Sequence, residues 1–144
     1  MKSVLVVCIG NICRSPMGEA LLAAALPQIA VSSAGTGALI GHPADDIAKA
    51  LMNARGLDIE AHRARQITQL MCQQADLILT MDEGQRRHIE TRYPLTRGKV
   101  FRFAESLKQD VPDPYRQGQD AFEYALQLID AGAQAWAERI QKFK

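Results

Sequence analysis

The segment Val4-Leu5-Val6-Val7-Cys8-Ile9-Gly10-Asn11-Ile12-Cys13-Arg14-Ser15-Pro16 constrains this chain more than any other. A short apolar run ends at a cysteine, a glycine-containing loop follows, and Ser-Pro signals a helix start. A strand that turns sharply into a helix builds a cup of backbone N–H groups at the positive end of the helix dipole. Such a cup binds an oxyanion. A cysteine at its base is expected to be a thiolate aimed at that anion, because the same field favours the ionised sulfur. An arginine at the helix entrance can grip two anion oxygens at once. Cys8 and Arg14 therefore predict phosphate chemistry through a cysteine nucleophile. Spacing alone carries little weight in a chain with three cysteines. Context makes it specific: neither Cys13 nor Cys72 has an arginine at the same offset, and only Cys8 closes a strand-like run.

The bulk composition narrows the function classes. A chain of 144 residues can bury one proper core, and residues 1–144 read as one domain. The net charge of +1 argues against nucleic acid as a partner, because phosphate-backbone binding needs a basic surface. No apolar run approaches membrane-spanning length, and Val4 to Val7 is too short for a signal-peptide core. No direct membrane insertion is expected. The odd cysteine count suits a reducing compartment, so the expected location is cytoplasmic. No Cys/His spacing matches a zinc site, and no metal or cofactor is expected.

Strand and helix signals alternate along the chain. Strands are expected at Ser3 to Val7, Ile29 to Ser33, Asp76 to Met81 and Lys99 to Phe103. Helices are expected at Pro16 to Leu26, Ala44 to Arg55, Ile67 to Gln74, Asp82 to Thr91 and Gly118 to Lys142. Ser15 reads as the first N-cap with Pro16 opening the helix, and Gly56 as a helix stop. Ala34 to Pro43 is glycine-rich and reads as a loop. The last helix repeats Phe122, Leu126, Ile129, Ala133, Trp136 and Ile140 in steps of four and three. A single such stripe reads as a helix packed on a sheet rather than a coiled coil. The predicted fold is α/β: a three-layer domain with a four-stranded parallel sheet, helices on both faces and a phosphate-binding loop after the first strand. Ligands in such folds sit beyond the carboxyl ends of the strands, where Cys8 lies.

Displacement at phosphorus also needs an acid for the leaving oxygen. Asp113 lies between Pro112 and Pro114, which fix its backbone and hence the direction of its side chain. Asp110 and Asp120 lack that constraint.

The Cys8–Pro16 segment together with Asp113-Pro114-Tyr115 resembles the low-molecular-weight protein-tyrosine phosphatases. Ser32-Ser33-Ala34-Gly35-Thr36, His62-Arg63-Ala64-Arg65-Gln66 and Asp76-Leu77-Ile78-Leu79-Thr80-Met81 extend the likeness over nearly the whole chain. The resemblance implies a phosphocysteine intermediate on Cys8 and phosphate binding by Arg14. It implies that Asp113 protonates the leaving phenolate and then helps to activate water. Ile9, Gly10, Asn11, Ile12, Cys13 and Ser15 would form the phosphate loop. Asn11, Ser33 and His62 would support that loop, and Ser15 would donate to the nucleophilic sulfur. Cys13 is either a small buried loop residue or a redox partner that pairs with Cys8 and shields it. Cys72, on an apolar helix face, reads as inert core. Leu39 and Tyr115 would line the pocket rim, with Tyr115 stacking on a phenyl ring.

Gly37-Ala38-Leu39-Ile40-Gly41 resembles the bacterial subgroup that accompanies capsule or exopolysaccharide synthesis. The implied partner is a phosphotyrosine protein, in that subgroup a membrane tyrosine autokinase, with inorganic phosphate or vanadate also entering the site. Two other functions compete. An arsenate reductase on the same fold would need a downstream cysteine pair, and only Cys72 lies downstream. A phosphotyrosine-binding module without turnover would lack the nucleophile or the acid.

Overall fold

The computed structural model describes residues 1–142. Four strands, β1 (Ser3–Cys8), β2 (Ala30–Gly35), β3 (Leu77–Thr80) and β4 (Val100–Arg102), form a parallel sheet in the order β2-β1-β3-β4. The helices are α1 (Arg14–Ala25), α2 (Asp46–Asn53), α3 (Gln69–Gln74), α4 (Glu83–Arg92) and α5 (Gln119–Gln141). Short 3-10 turns at Pro94–Thr96 and Glu105–Leu107 flank β4.

β1 is central and buried on both sides, which explains its unbroken apolar run. Its side chains alternate between two cores. Val4, Val6 and Cys8 join a cluster with Met17 and Leu22 of α1, Met52 of α2 and Phe122, Ile129 and Trp136 of α5. Leu5 and Val7 join the other cluster, with Cys72 of α3 and Ile89 of α4. The expected three-layer α/β/α arrangement is thus present. The alternation also puts the Cys8 side chain on the α1/α5 side.

The stripe on α5 is core. Phe122, Leu126, Ile129, Ala133, Trp136 and Ile140 are all buried, and the Trp136 Nε1–H donates to the Phe103 carbonyl at 3.0 Å. At Gly132, α5 passes close to Phe103, the residue after β4. A Cβ there would collide with the Phe103 carbonyl oxygen and lie 2.8 Å from Phe103 Cδ1. Gly132→Ala therefore sets two effects against each other. Better helix propensity contributes about 1 kcal/mol, whereas overpacking against a backbone atom costs about 3 kcal/mol. The expected net loss is about 2 kcal/mol of unfolding free energy, measured by urea titration at unchanged m-value.

Several boundaries differ from the sequence expectation. β2 continues through Ala34 and Gly35, which pair with Val7 and Cys8, so the glycine-rich loop starts two residues later than its composition suggests. α1 begins at Arg14, not Pro16. Cys13 occupies the N-cap position without a side-chain hydrogen bond, and Ser15 lies inside the first turn. Pro16 is tolerated there because first-turn N–H groups have no intrahelical partner to lose. α2 is shorter than expected and is capped by Asp45, whose carboxylate accepts from the Ile47 N–H at 2.9 Å.

Candidate active site

The loop between β1 and α1 is shaped from outside. The Cys8, Ile9 and Gly10 carbonyls accept from the Thr36, Gly37 and Leu39 N–H groups at 3.0, 3.0 and 3.1 Å. The Asn11 carbonyl accepts from His62 Nε2–H at 2.7 Å, and the Ile12 carbonyl accepts from the Asp45 N–H at 2.8 Å. Five successive carbonyls are held outward. Because the peptide unit is planar, the loop N–H groups point the other way, into the cleft. Gly35 makes this close approach possible, since a Cβ there would collide with the Ile9 carbonyl oxygen. α1 adds its positive end. It has no acidic residue in its first turn and no side-chain cap, so its dipole remains for an exogenous anion.

Asn11 is the keystone of the loop. It sits at φ 59°, a conformation that asparagine tolerates better than most residues. Its amide donates to Ser15 Oγ at 2.8 Å and to Ser33 Oγ at 3.0 Å, and its Oδ1 accepts from the Arg65 N–H at 2.9 Å. The Ser33 hydroxyl in turn donates to Glu19 Oε1 at 2.5 Å. Because Asn11 already donates to Ser15, the Ser15 hydroxyl proton is free for Cys8 Sγ, 2.9 Å away. The Asn11 N–H also donates to that sulfur at 3.2 Å. The Asn11 N–H and the Ser15 hydroxyl thus both adjoin the Cys8 sulfur. Of the two readings of Ser15, the N-cap is ruled out, since Cys13 holds that position, and the hydroxyl lies within hydrogen-bond distance of the Cys8 sulfur. A helix that opens onto an anion cup needs no hydroxyl cap.

Arg14 is 2 % exposed, and each end of its guanidinium is anchored. Nη1 donates to the Val111 carbonyl at 2.7 Å and lies 3.7 Å from Asp82, while Nη2 lies 3.8 Å from Asp113. Its Nε–H is buried and meets no acceptor among the described residues. Leaving a buried donor unmet is costly, so this group fits one that bonds an incoming anion. Asp113 is half-exposed at the mouth, its Oδ1 accepting from the Tyr115 N–H at 3.1 Å. Cys8, Ile9, Gly10, Ile12, Cys13, Arg14, Leu39, Asp113 and Tyr115 line one cleft of about 160 Å³.

The other two cysteines are also free and buried. Burial, with the nearby Asp45 carboxylate adding to it, pushes the Cys13 thiol far above its ordinary range, so it is a neutral thiol. Burial also raises Cys72, which lies in the opposite core cluster from Cys8.

Every residue expected at the site is therefore in the cleft or directly behind it. Sequence reasoning assigned no role to Glu19, Arg65, Asp82 or the Val111 carbonyl. Glu19 could have been found as a polar residue one helical turn after Ser15. Arg65 stood within a matching segment but without a task. Its Nε–H donates to the Ser33 carbonyl at 2.8 Å. Asp82 was legible only as the cap of α4, a task it also performs through the Gln85 N–H at 2.7 Å.

Comparison with known proteins agrees with the geometry. The model of the family described as low molecular weight phosphotyrosine protein phosphatase matches residues 3–144. The chain is 51 % identical over 141 residues to the probable low molecular weight protein-tyrosine-phosphatase EpsP of Ralstonia nicotianae, covering 98 % of this chain and 97 % of that protein. The solved Vibrio vulnificus Wzb in complex with benzylphosphonate superposes with TM-score 0.93 at 45 % identity, covering 96 % of this chain and 98 % of that one. The tyrosine phosphatase Wzb of Escherichia coli in complex with sulphate gives TM-score 0.93 at 40 % identity, with the same 96 % and 98 % coverage. The match spans the sheet, the anion loop and the Asp113 loop alike, and the chain belongs to the low molecular weight phosphotyrosine protein phosphatase family.

Proposed function

We propose that the cleft hydrolyses phosphotyrosine on proteins in two displacements at phosphorus. Cys8 Sγ attacks in line; a P–S bond forms as the P–O ester bond breaks, and Asp113 gives its proton to the departing phenolate. Water then attacks the phosphocysteine while Asp113 takes up a proton, releasing inorganic phosphate and the free sulfur. The loop N–H groups and the Arg14 guanidinium hold the three equatorial oxygens through both steps. Ser15 and Asn11 hold the sulfur ready as acceptor and stabilise it as leaving group. Leu39 and Tyr115 form the apolar walls against which a phenyl ring packs. The reaction needs no metal or cofactor.

The observation that carries this reading is the buried, unmatched Arg14 Nε–H in the same loop as a sulfur that accepts from the Asn11 N–H and adjoins the Ser15 hydroxyl. The relative's benzylphosphonate, a phosphonate on a benzyl group, supports the same pairing of anion cup and aromatic wall. A relay from Cys8 to Cys72, as a disulfide-linked reductase would require, has the sheet between its partners. The test is phosphate release from p-nitrophenyl phosphate and phosphotyrosine peptides, inhibited by vanadate, with phosphoserine peptides left intact. Failure to release phosphate from phosphotyrosine overturns the reading. The partner proposed from the Gly37–Gly41 segment is a bacterial membrane tyrosine autokinase that controls exopolysaccharide synthesis. The proposed location is cytoplasmic, and no helix among the described residues is long and apolar enough to cross a membrane.

Cys13 is proposed as redox partner. Peroxide converts Cys8 to a sulfenic acid, which condenses with the Cys13 thiol to a disulfide and water. Only the Cys13 thiolate attacks well, and burial keeps that group protonated. The disulfide should therefore form faster as pH rises. Peptide mapping after peroxide should show Cys8–Cys13, and thiol reductant should restore activity. Cys13→Ser should lose that recovery; equal recovery in wild type and variant removes the role.

A further inference from the structure

The catalytic cleft continues into a second groove that shares Ile9, Arg14 and Asp113 with it. Beyond those residues the groove is lined by Asp82, Asp110 and Tyr124, among others. Its electrostatics are one-sided. Three carboxylates line it, and Arg14 is the only cation lining it among the described residues. Arg14 lies 3.7 Å from Asp82 and 3.8 Å from Asp113, so one buried guanidinium faces two of the three carboxylates while also bonding the Val111 carbonyl. The neighbouring Arg102 is paired with Glu105 at 2.8 Å and Asp110 at 3.2 Å. The bonds to Asp110 from the Glu83 N–H and from Arg102 both run to Oδ1, and the side chain is 49 % exposed. Tyr124, on α5, is 51 % exposed and brings an aromatic ring to the same wall.

A separate observation says where a ligand sits relative to this groove. The unmatched Nε–H belongs to Arg14, which lines both depressions. A phosphoryl group that satisfies it stands at the head of the groove. The polypeptide carrying that group must then leave across the rim. A bound phosphate dianion also adds negative charge next to Asp82 and Asp110, so the groove attracts cations most when the cleft is filled.

We infer that the groove seats a lysine or arginine side chain that flanks the phosphotyrosine of the substrate protein, held between the Tyr124 ring and the Asp110 carboxylate. This deepens the phosphotyrosine phosphatase reading and rests on it. A cation over an aromatic face and a half-exposed ion pair are each modest and salt-sensitive. The consequence is a preference among substrates, made in binding.

The test uses one phosphotyrosine peptide sequence with Lys, Ala or Glu placed in turn at the two positions on either side of the phosphotyrosine. p-Nitrophenyl phosphate, too small to reach the groove, is assayed with the same enzyme samples. At low salt, Lys should exceed Glu by about fivefold in kcat/KM at one position or more, chiefly through KM, and the ratio should shrink in high salt. Asp110→Asn keeps an Oδ1 acceptor for the Glu83 N–H and removes only charge; it should at least halve the ratio. Tyr124→Ala should do the same, and Tyr124→Lys should turn the preference toward Glu. None of these should change p-nitrophenyl phosphate turnover. A ratio near one at all four positions, with p-nitrophenyl phosphate still hydrolysed, overturns the inference alone. A Lys preference untouched by all three variants also overturns it. Absence of turnover on every substrate overturns the phosphatase reading, and the inference falls with it.

Discussion

Cys8→Ser is expected to abolish phosphate release while leaving the protein folded. A serine hydroxyl at this position is a far weaker nucleophile near neutral pH. The fall in kcat should be about 10⁴-fold or more, the order reached when a nucleophile is removed. The fold should survive because the change is nearly isosteric, and Ser15 and Asn11 can still donate to the new oxygen. The variant should also keep binding inorganic phosphate, since the cup and Arg14 are untouched. Arg14→Lys should cost about 10²- to 10³-fold, the order of losing one preorganised oxyanion donor. An ammonium cannot reach Val111 and the anion together in one plane. Near-normal hydrolysis of p-nitrophenyl phosphate by either variant removes the proposed mechanism. Circular dichroism on the same samples separates chemistry from unfolding.

Asp113→Asn should slow the enzyme in proportion to the basicity of the leaving group. Tyrosine phenolate is a poor leaving group and needs the proton, so a loss of about 10²- to 10⁴-fold is expected with phosphotyrosine. Nitrophenolate departs with far less help, and the loss there should be much smaller. The pH profile gives a second readout. In the first step Cys8 must be ionised while Asp113 carries its proton, so the wild-type rate should fall at both extremes. Removing the carboxyl should flatten the alkaline limb. The measurement is kcat/KM against leaving-group basicity and pH for both proteins. An equal loss for every leaving group assigns Asp113 a structural part. Asp110 is a poor substitute, because Glu83 and Arg102 already engage its Oδ1.

Sequence legibility followed the range of the interactions involved. The unbroken Val4–Val7 run announced a doubly buried strand, because burial on both faces removes the usual polar alternation. The α5 stripe was legible for the same reason: helical period three to four marks the buried face directly. Local punctuation was read less well. Glycine at position 35 signalled a loop, yet it is a strand residue that lets the Ile9 backbone pass close by. Nothing local could reveal that, since the crowding comes from another segment.

The sequence by itself determined the strand–loop–helix unit, and with it the pairing of Cys8 and Arg14 around one anion cup. The seven residues from Cys8 to Arg14 form a tight loop that can adopt few shapes, and their chemistry travels with them. Only the tertiary structure decided how that loop is held. The outward carbonyls are fixed by residues 36–45 and by His62, and Asn11 is locked by Ser33 and Arg65. Arg14 is anchored by Val111 and Asp82 and approached by Asp113. These partners lie as far as 99 positions away along the chain, Asp113 from Arg14 (113 − 14). A hydrogen bond depends on distances of about 3 Å and on angle, and no local pattern encodes those quantities between distant segments. The sheet order β2-β1-β3-β4 supplies them by placing β1 at the centre, with the loops after β2 and β3 on either side of the cysteine.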